Sequence, residues 1–233
     1  MGQGNRHFKP LVIIIIIILI FVVFFIVKIF NMSKNISQFD NSDWLDNQEL
    51  KASLQASYTP ELQKIVEGQD NYWLGTDQPQ ITIVGFSDFA CSHCRSSYTT
   101  IRQLGVEYKD KIKIIFRDRP AFDYSMNLAM AAQCAGEQGK FWAMHDKLFQ
   151  NQSAELGATA QDLGNLAQQV GVEMASFADC YNSKKYLDKI KQNFQDSENL
   201  NVAGTPTWFV NGQKIEGNVP LADWQALLNK LID

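Results

Sequence analysis

Apolar positions along the chain fall into three regimes. From Leu11 to Val27 they are unbroken, and Ile29 and Phe30 carry the run past Lys28. From Asn31 to about Gly68 the chain turns polar, rich in Asn, Gln, Ser and Asp, and reads as a stalk. Within it, Thr59-Pro60-Glu61-Leu62 looks like a helix start with Pro at the first position, giving one short helix over 61–66. From about Tyr72 the pattern becomes that of a folded domain. Tyr72 to Gly75 suggests an edge strand, Ile81 to Phe86 a core strand, and Lys111 to Phe116 a half-buried to buried strand. Helical spacing holds over 95–108, 125–135, 140–150, 160–170, 174–181 and 184–200, with Gly136, Gly139, Gly157 and Gly171 as punctuation. Thr207–Val210 and Gln213–Glu216 flank Asn211-Gly212, a strong hairpin signal. Leu221, Trp224, Leu227, Leu228 and Leu231 then mark a final amphipathic helix.

The order strand, helix, strand implies a right-handed parallel crossover. With the helical region, hairpin and last helix, it predicts an α/β thioredoxin fold carrying an inserted helical domain at about 121–200. The N-terminal run needs a different account. Its 17 to 20 residues within 11–30, at 1.5 Å rise each, span roughly 25–30 Å, enough for a hydrocarbon core. The alternative is the apolar region of a cleaved signal peptide. The length of the run and the absence of paired small residues at cleavage spacing in Phe30-Asn31-Met32-Ser33 favour an anchor. Three segments follow: a cytoplasmic tip and transmembrane anchor over 1–30, a polar stalk over 31–70, and a folded domain over 71–233. No internal repeat is visible.

Composition changes this picture little. The chain has 233 residues, 45% apolar, with a formal net charge of −4. That balance, without a basic patch interleaved with aromatics, argues against a nucleic-acid partner. Arg6 and Lys9 precede the apolar run and Lys28 and Lys34 follow it, so charge alone does not orient the anchor. Four cysteines suit an oxidising compartment better than a reducing one. The expected placement is therefore a single-pass cell-membrane protein, N-terminus cytoplasmic and domain extracytoplasmic.

The candidate chemistry lies in Cys91-Ser92-His93-Cys94, where the first core strand hands over to a helix. Two cysteines at this spacing read as a dithiol redox site. A helix N-terminus favours a thiolate through its partial positive charge and unpaired N–H groups. Cys91, nearest that end, is the expected exposed nucleophile, and Cys94, one turn further in, the buried resolving partner. His93, when protonated, would stabilise the Cys91 thiolate further. Two plainer readings compete. A zinc site needs a second ligand pair, and among Cys134, Cys180, His7 and His145 no two share such a spacing. An inert disulfide across two intervening residues closes too small a loop to stabilise much. No metal and no cofactor are expected.

Four stretches in order carry a family resemblance. They are Phe86-Ser87-Asp88-Phe89-Ala90-Cys91-Ser92-His93-Cys94, Phe116-Arg117-Asp118-Arg119-Pro120, residues 131–142 (AAQCAGEQGKFW) and residues 202–212 (VAGTPTWFVNG). The chain from about Tyr72 to Asp233 resembles the DsbA-like thioredoxin-fold oxidoreductases, in particular their membrane-anchored bacterial members. The resemblance implies thiol–disulfide exchange with unfolded or reduced protein substrates, Cys91 attacking or being attacked and Cys94 resolving. It implies a cis bond before Pro206, packed against the dithiol, with the Thr205 backbone free to pair with an extended substrate segment. It also implies a membrane partner, DsbB-like or VKOR-like, that reoxidises the dithiol.

Two positions depart from the family pattern. Many members carry an acidic residue six positions before the first cysteine, to which proton transfer with the buried cysteine is assigned; here that residue is Gly85. Asp88 is the nearest carboxylate in sequence, readable as a proton relay or as a helix-entry residue. Ser92 stands where strongly oxidising members often have Pro, which leaves the redox poise open. The remaining cysteines, Cys134 and Cys180, would if bonded close a long loop and form a structural disulfide. A second redox pair or two free buried thiols are the alternatives. His145, within Phe141-Trp142-Ala143-Met144-His145, reads as a packed helix residue. An oxidase that forms disulfides in exported proteins is the expected function. A reductase or isomerase of the same fold is its near rival, and a non-catalytic thioredoxin-like adaptor or chaperone the distant one. Isomerases usually need a dimerisation module, and the polar stalk looks too plain for one; a monomer is expected.

Overall fold

The computed structural model describes residues 58–232 except 156. The expected anchor over 11–30 and the polar segment up to 57 lie outside the described residues. Among the described residues no helix is long and apolar enough to cross a membrane.

The order of elements is α1 (Pro60–Glu67), β1 (Trp73–Gly75), β2 (Ile81–Ser87), α2 (Ser92–Glu107) and β3 (Ile112–Asp118). Six helices then form the insert: α3 (Asp123–Gly136), α4 (Phe141–Gln150), α5 (Gln152–Glu155), α6 (Ala160–Gln169), α7 (Met174–Asn182) and α8 (Leu187–Asn199). The hairpin β4 (Thr207–Val210) and β5 (Gln213–Glu216) and the helix α9 (Leu221–Leu231) complete the fold. The sheet order is β1-β3-β2-β4-β5. Strands β2 and β3 are parallel, joined by α2, and the other three pairings are antiparallel. This is the thioredoxin plan with a helical insertion.

The central strand β2 is buried at every residue, as a strand covered on both faces must be. On one face Ile81 and Ile83 meet Ile101 and Leu104 of α2 and Trp224 and Leu228 of α9. On the other, Val84 and Phe86 meet Ile115, Phe209, Val202 and Val66. The insert builds its own core around Phe141, Leu148, Phe149 and Leu163, continuous with Phe89, Cys94 and Phe116 at the dithiol end. The hairpin turn works because Asn211 and Gly212 both take positive φ, at 44° and 83°. Asn211 also ties the turn inward, its Oδ1 accepting from the Thr82 N–H at 2.8 Å.

Helix α1, which composition groups with the polar stalk, packs on the domain instead. Thr59 caps it, and Val66 is fully buried against the sheet. Burying a side chain of that size contributes about 1.5–2 kcal/mol. Arg117 holds the other end. Its fully buried guanidinium donates to the Ile65 and Val66 carbonyls at 2.8 and 2.9 Å and to Asn193 Oδ1 at 2.9 Å, and pairs with Asp196. The sequence shows the helix but not its docking, because Val66, the partly buried Leu62 and one distant arginine secure it.

Candidate active site

The dithiol loop is built by backbone bonds before any cysteine chemistry. At the end of β2, Asp88 is 2% exposed and its carbonyl accepts from the Cys91 N–H at 3.0 Å. Its carboxylate is fully engaged. Oδ1 accepts from the Ala90 N–H at 2.8 Å, and Oδ2 from the Ala121 N–H at 2.9 Å and the Ser125 hydroxyl at 3.0 Å. Asp88 thus ties the loop to the start of the insert. Burial, with a smaller push from Cys91, raises its carboxyl above the usual range. A second tie comes from Gln152 on α5. Its Nε2 donates to the Phe89 and Cys91 carbonyls at 2.8 and 2.9 Å.

Helix α2 begins at Ser92, three residues before the sequence reading, with Cys91 as its N-cap residue. That position sets the two cysteines apart. Cys91 is partly exposed and Cys94 is 2% exposed, and neither is in a disulfide. The Cys94 thiol donates toward the Cys91 sulfur and pulls its pKa down to about 5, the Thr205 hydroxyl adding to the effect. The N–H groups of Cys94 and His93 favour the anion too, without closing a capping bond to the thiol. Against these, partial burial acts upward, and the Thr205 carbonyl accepts from the Cys91 thiol at 3.2 Å. Cys94 moves the opposite way. Burial and the neighbouring Cys91 push its thiol well above the ordinary value.

Thr205 and Pro206 come up beside Cys91 from the turn into β4, and the Thr205–Pro206 bond is cis as the resemblance implies. Thr207 closes the turn, its hydroxyl donating to the Gly204 carbonyl at 2.8 Å. The structure therefore brings Cys91, Cys94, Thr205 and Pro206 together. His93 lies in the same turn with its side chain exposed, and it bears on Cys91 through its backbone N–H.

Gly85 has a structural explanation. A Cβ there would lie 2.3 Å from Trp208, whose indole covers the position from the adjacent strand. The indole is fixed by its Nε1–H, which donates to the Gly217 carbonyl at 3.0 Å, and by edge-on contact with Trp224. The ring fills the space beside β2 where a side chain at position 85 would stand. Neither Trp208 nor Gln152 could be picked out in the sequence, since both act across long sequence separations. His145 is a packed helix residue as read, 3% exposed, yet it borders the same internal cavity as Cys94.

The other two cysteines form a disulfide, Cys134–Cys180, joining α3 to α7 with Cα atoms 5.8 Å apart. Among the described residues no cluster of three or more His, Cys, Asp or Glu side chains could hold a metal ion.

Comparison with known proteins agrees with this geometry. The family model described as Thioredoxin matches residues 67–230. A Salinispora tropica protein named Na(+)/H(+) antiporter NhaA 3 is 32% identical over 146 residues, covering 61% of this chain. The chain spans only 22% of that protein's length, so the match concerns one segment of a much longer molecule. A Bacillus anthracis protein named "Probable disulfide bond formation protein D" is 29% identical over 149 residues, covering 60% of this chain and 69% of that one. Among solved structures, the thiol-disulfide exchange protein alpha-DsbA2 from Wolbachia pipientis aligns with a TM-score of 0.67 at 22% identity, covering 79% of this chain and 99% of its own. Oxidised BdbD from Bacillus subtilis aligns with a TM-score of 0.58 at 23% identity, covering 69% and 92%. At those identities the structural likeness is one of fold. The family match over most of the chain and the dithiol at the head of α2 lead to one assignment: the chain belongs to the thioredoxin family and has the DsbA-like form of its fold.

Proposed function

We propose that the chain is a thiol:disulfide oxidoreductase that forms disulfides in exported proteins, with Cys91 as the attacked sulfur and Cys94 as the resolving one. The observation that carries this reading is the opposed setting of the two thiols. A substrate thiolate attacks Cys91 in the Cys91–Cys94 disulfide, forming a mixed disulfide while Cys94 leaves and takes up a proton. A second substrate thiolate attacks the substrate sulfur, the new substrate disulfide forms, and Cys91 leaves as a thiolate. A leaving group with a pKa near 5 leaves readily, and its stability favours the reduced enzyme. Each pKa unit of thiolate stabilisation corresponds to about 1.4 kcal/mol, or roughly 30 mV for two electrons.

The backbone at Thr205, beside Cys91, is the expected pairing edge for an extended substrate segment. Cys134–Cys180 is taken as structural, its sulfurs sealed in the core of the insert. The apolar run over 11–30 supports a single-pass anchor, and the four cysteines support a domain outside the cytoplasm, where a membrane partner would reoxidise the dithiol. The relatives named for disulfide formation and thiol–disulfide exchange support the same reaction class.

Equilibration of the full-length protein with a series of reduced and oxidised glutathione mixtures tests the direction. An oxidase should equilibrate near −120 mV, as strong oxidants of this class do, and should oxidise a reduced unfolded substrate protein. A potential near −270 mV, like that of cytosolic thioredoxin, would replace the oxidase reading with a reductase.

A further inference from the structure

Cys94 must gain a proton when it leaves and lose one when it attacks, yet it is 2% exposed. Position 85 carries no side chain, and the Asp88 oxygens are held by Ala90, Ala121 and Ser125. Cys94 does border a small internal cavity of about 10 Å³, whose lining includes Ser87, Tyr98, Trp142, His145 and Trp208. That is the lower limit of the room one water molecule needs, in a lining that is mostly apolar. His145 brings an imidazole to this lining, the ordinary group for moving protons near neutral pH. Its Nδ1 meets Asp146 Oδ1 at 2.9 Å, while Asp146 Oδ2 accepts from Arg102 Nε at 3.0 Å. The Asp146 side chain is 24% exposed and so reaches solvent. With Nδ1 engaged by Asp146, Nε2 is the ring nitrogen left to exchange a proton. Rings of Phe89, Phe116, Trp142 and Phe149, with centroids 4.9–5.7 Å away, fix the imidazole in place.

We propose that His145 is the proton relay of Cys94, exchanging its proton across the shared cavity and connecting it to solvent through Asp146. This rests on the thiol–disulfide exchange reading above. In the oxidising half-reaction Cys94 gives its proton to Nε2, and its freed electron pair attacks the Cys91 sulfur of a mixed disulfide. The Cys91–Cys94 bond forms and the outgoing thiolate leaves. The imidazolium then loses its Nδ1 proton to solvent by way of Asp146, and the reverse sequence protonates Cys94 when it is the leaving group. The charged groups that act on His145 are Asp146 from its own helix and Arg102 from α2; Cys94 and Tyr98 share the cavity lining with it, and Phe89, Phe116 and Phe149 present only rings. Burial lowers the imidazole pKa, so the ring is a neutral acceptor at pH 7, and the Asp146 hydrogen bond steadies the cation as it forms.

The test uses full-length reduced protein and oxidised glutathione, with acid quenching and intact-mass detection of the mixed disulfide. His145→Phe keeps the aromatic packing and removes both nitrogens. It should leave formation of the mixed disulfide at Cys91 within twofold of wild type. Its resolution by Cys94 should slow at least tenfold, a floor set below the roughly 10²–10⁴-fold that general acid–base catalysis supplies. The pH dependence of that second step should change, and the reduction potential should not. If His145→Phe does not fold, His145→Asn carries the same expectation. Resolution within twofold of wild type in a folded variant would overturn the relay. A wild-type protein that forms no mixed disulfide would overturn the exchange reading, and the relay with it.

Discussion

The molecule holds two cysteine pairs with opposite fates. Cys134 and Cys180 are bonded, 0% and 4% exposed, and packed among Leu, Phe and Ala side chains where no thiolate is stabilised. Cys91 and Cys94 are free thiols one helical turn apart, and the Cys94 thiol, with Thr205 and the N–H groups at the head of α2, makes the outer one a stable anion. What separates a reactive pair from an inert one here is the polarity and access of the place that the fold gives each sulfur. Breaking that contrast should hurt the two pairs in different currencies, rate for one and stability for the other.

The largest effect belongs to the reactive pair. Cys91→Ser should reduce oxidation of a reduced test protein to the uncatalysed level while leaving the melting temperature within a few degrees, as a stopped activity assay beside a thermal melt would record. Next comes the bonded pair. Its sulfurs are 46 residues apart in sequence, and in the chain-entropy model such a link is worth roughly 4 kcal/mol. The Cys134→Ala/Cys180→Ala double variant should melt about 10 °C lower in a domain of this size and still exchange at close to the wild-type rate. A loss of exchange at unchanged stability would make the second pair a redox relay.

Asp118 sharpens the contrast from beside the bonded pair. Burial pushes its carboxyl up to about 6, although Gln133, the neighbour of Cys134, donates to it at 2.7 Å. Its folded pKa lies above the unfolded one, so its contribution is most favourable below about pH 4 and is lost as pH rises through 6. Asp118→Asn should therefore stabilise the protein at pH 7, by on the order of 2–3 kcal/mol, with the gain vanishing near pH 4. The Cys91 titration should not move, and denaturant unfolding across that pH range together with thiolate absorbance reads both. The smallest effect is expected at Gln152. Gln152→Leu leaves the Phe89 and Cys91 carbonyls without that donor, costing about 1–2 kcal/mol, and should raise the Cys91 midpoint as the loop loosens. A midpoint unchanged in a destabilised protein would assign Gln152 to packing alone.

Much of this was legible in the chain itself. The hairpin over 207–216 and the helix over 221–231 fall where periodicity and Asn211-Gly212 place them, because short-range turn chemistry and a 3.6-residue repeat decide both. Strand β3 runs two residues past its apolar stretch, to Asp118, because parallel pairing with β2 carries Arg117 and Asp118 into the interior. The start of α2 at Ser92 was harder to read, since cysteine is not a favoured N-cap residue. Features that depend on distant partners were hidden. Examples are Trp208 over Gly85, Gln152 on the dithiol loop, Arg117 on α1, and the shared cavity of His145 and Cys94. A residue's own type announces its chemistry, but only the fold says what it faces.

The account stands on the stability of one thiolate, and its absorbance can be followed directly. Full-length protein, solubilised in detergent and fully reduced, should be titrated with pH at 240 nm and compared with the Cys91→Ser variant. The difference should show one thiolate appearing with a midpoint near 5, as the setting of Cys91 requires. A midpoint near that of a free thiol, about 8.5, would contradict the account.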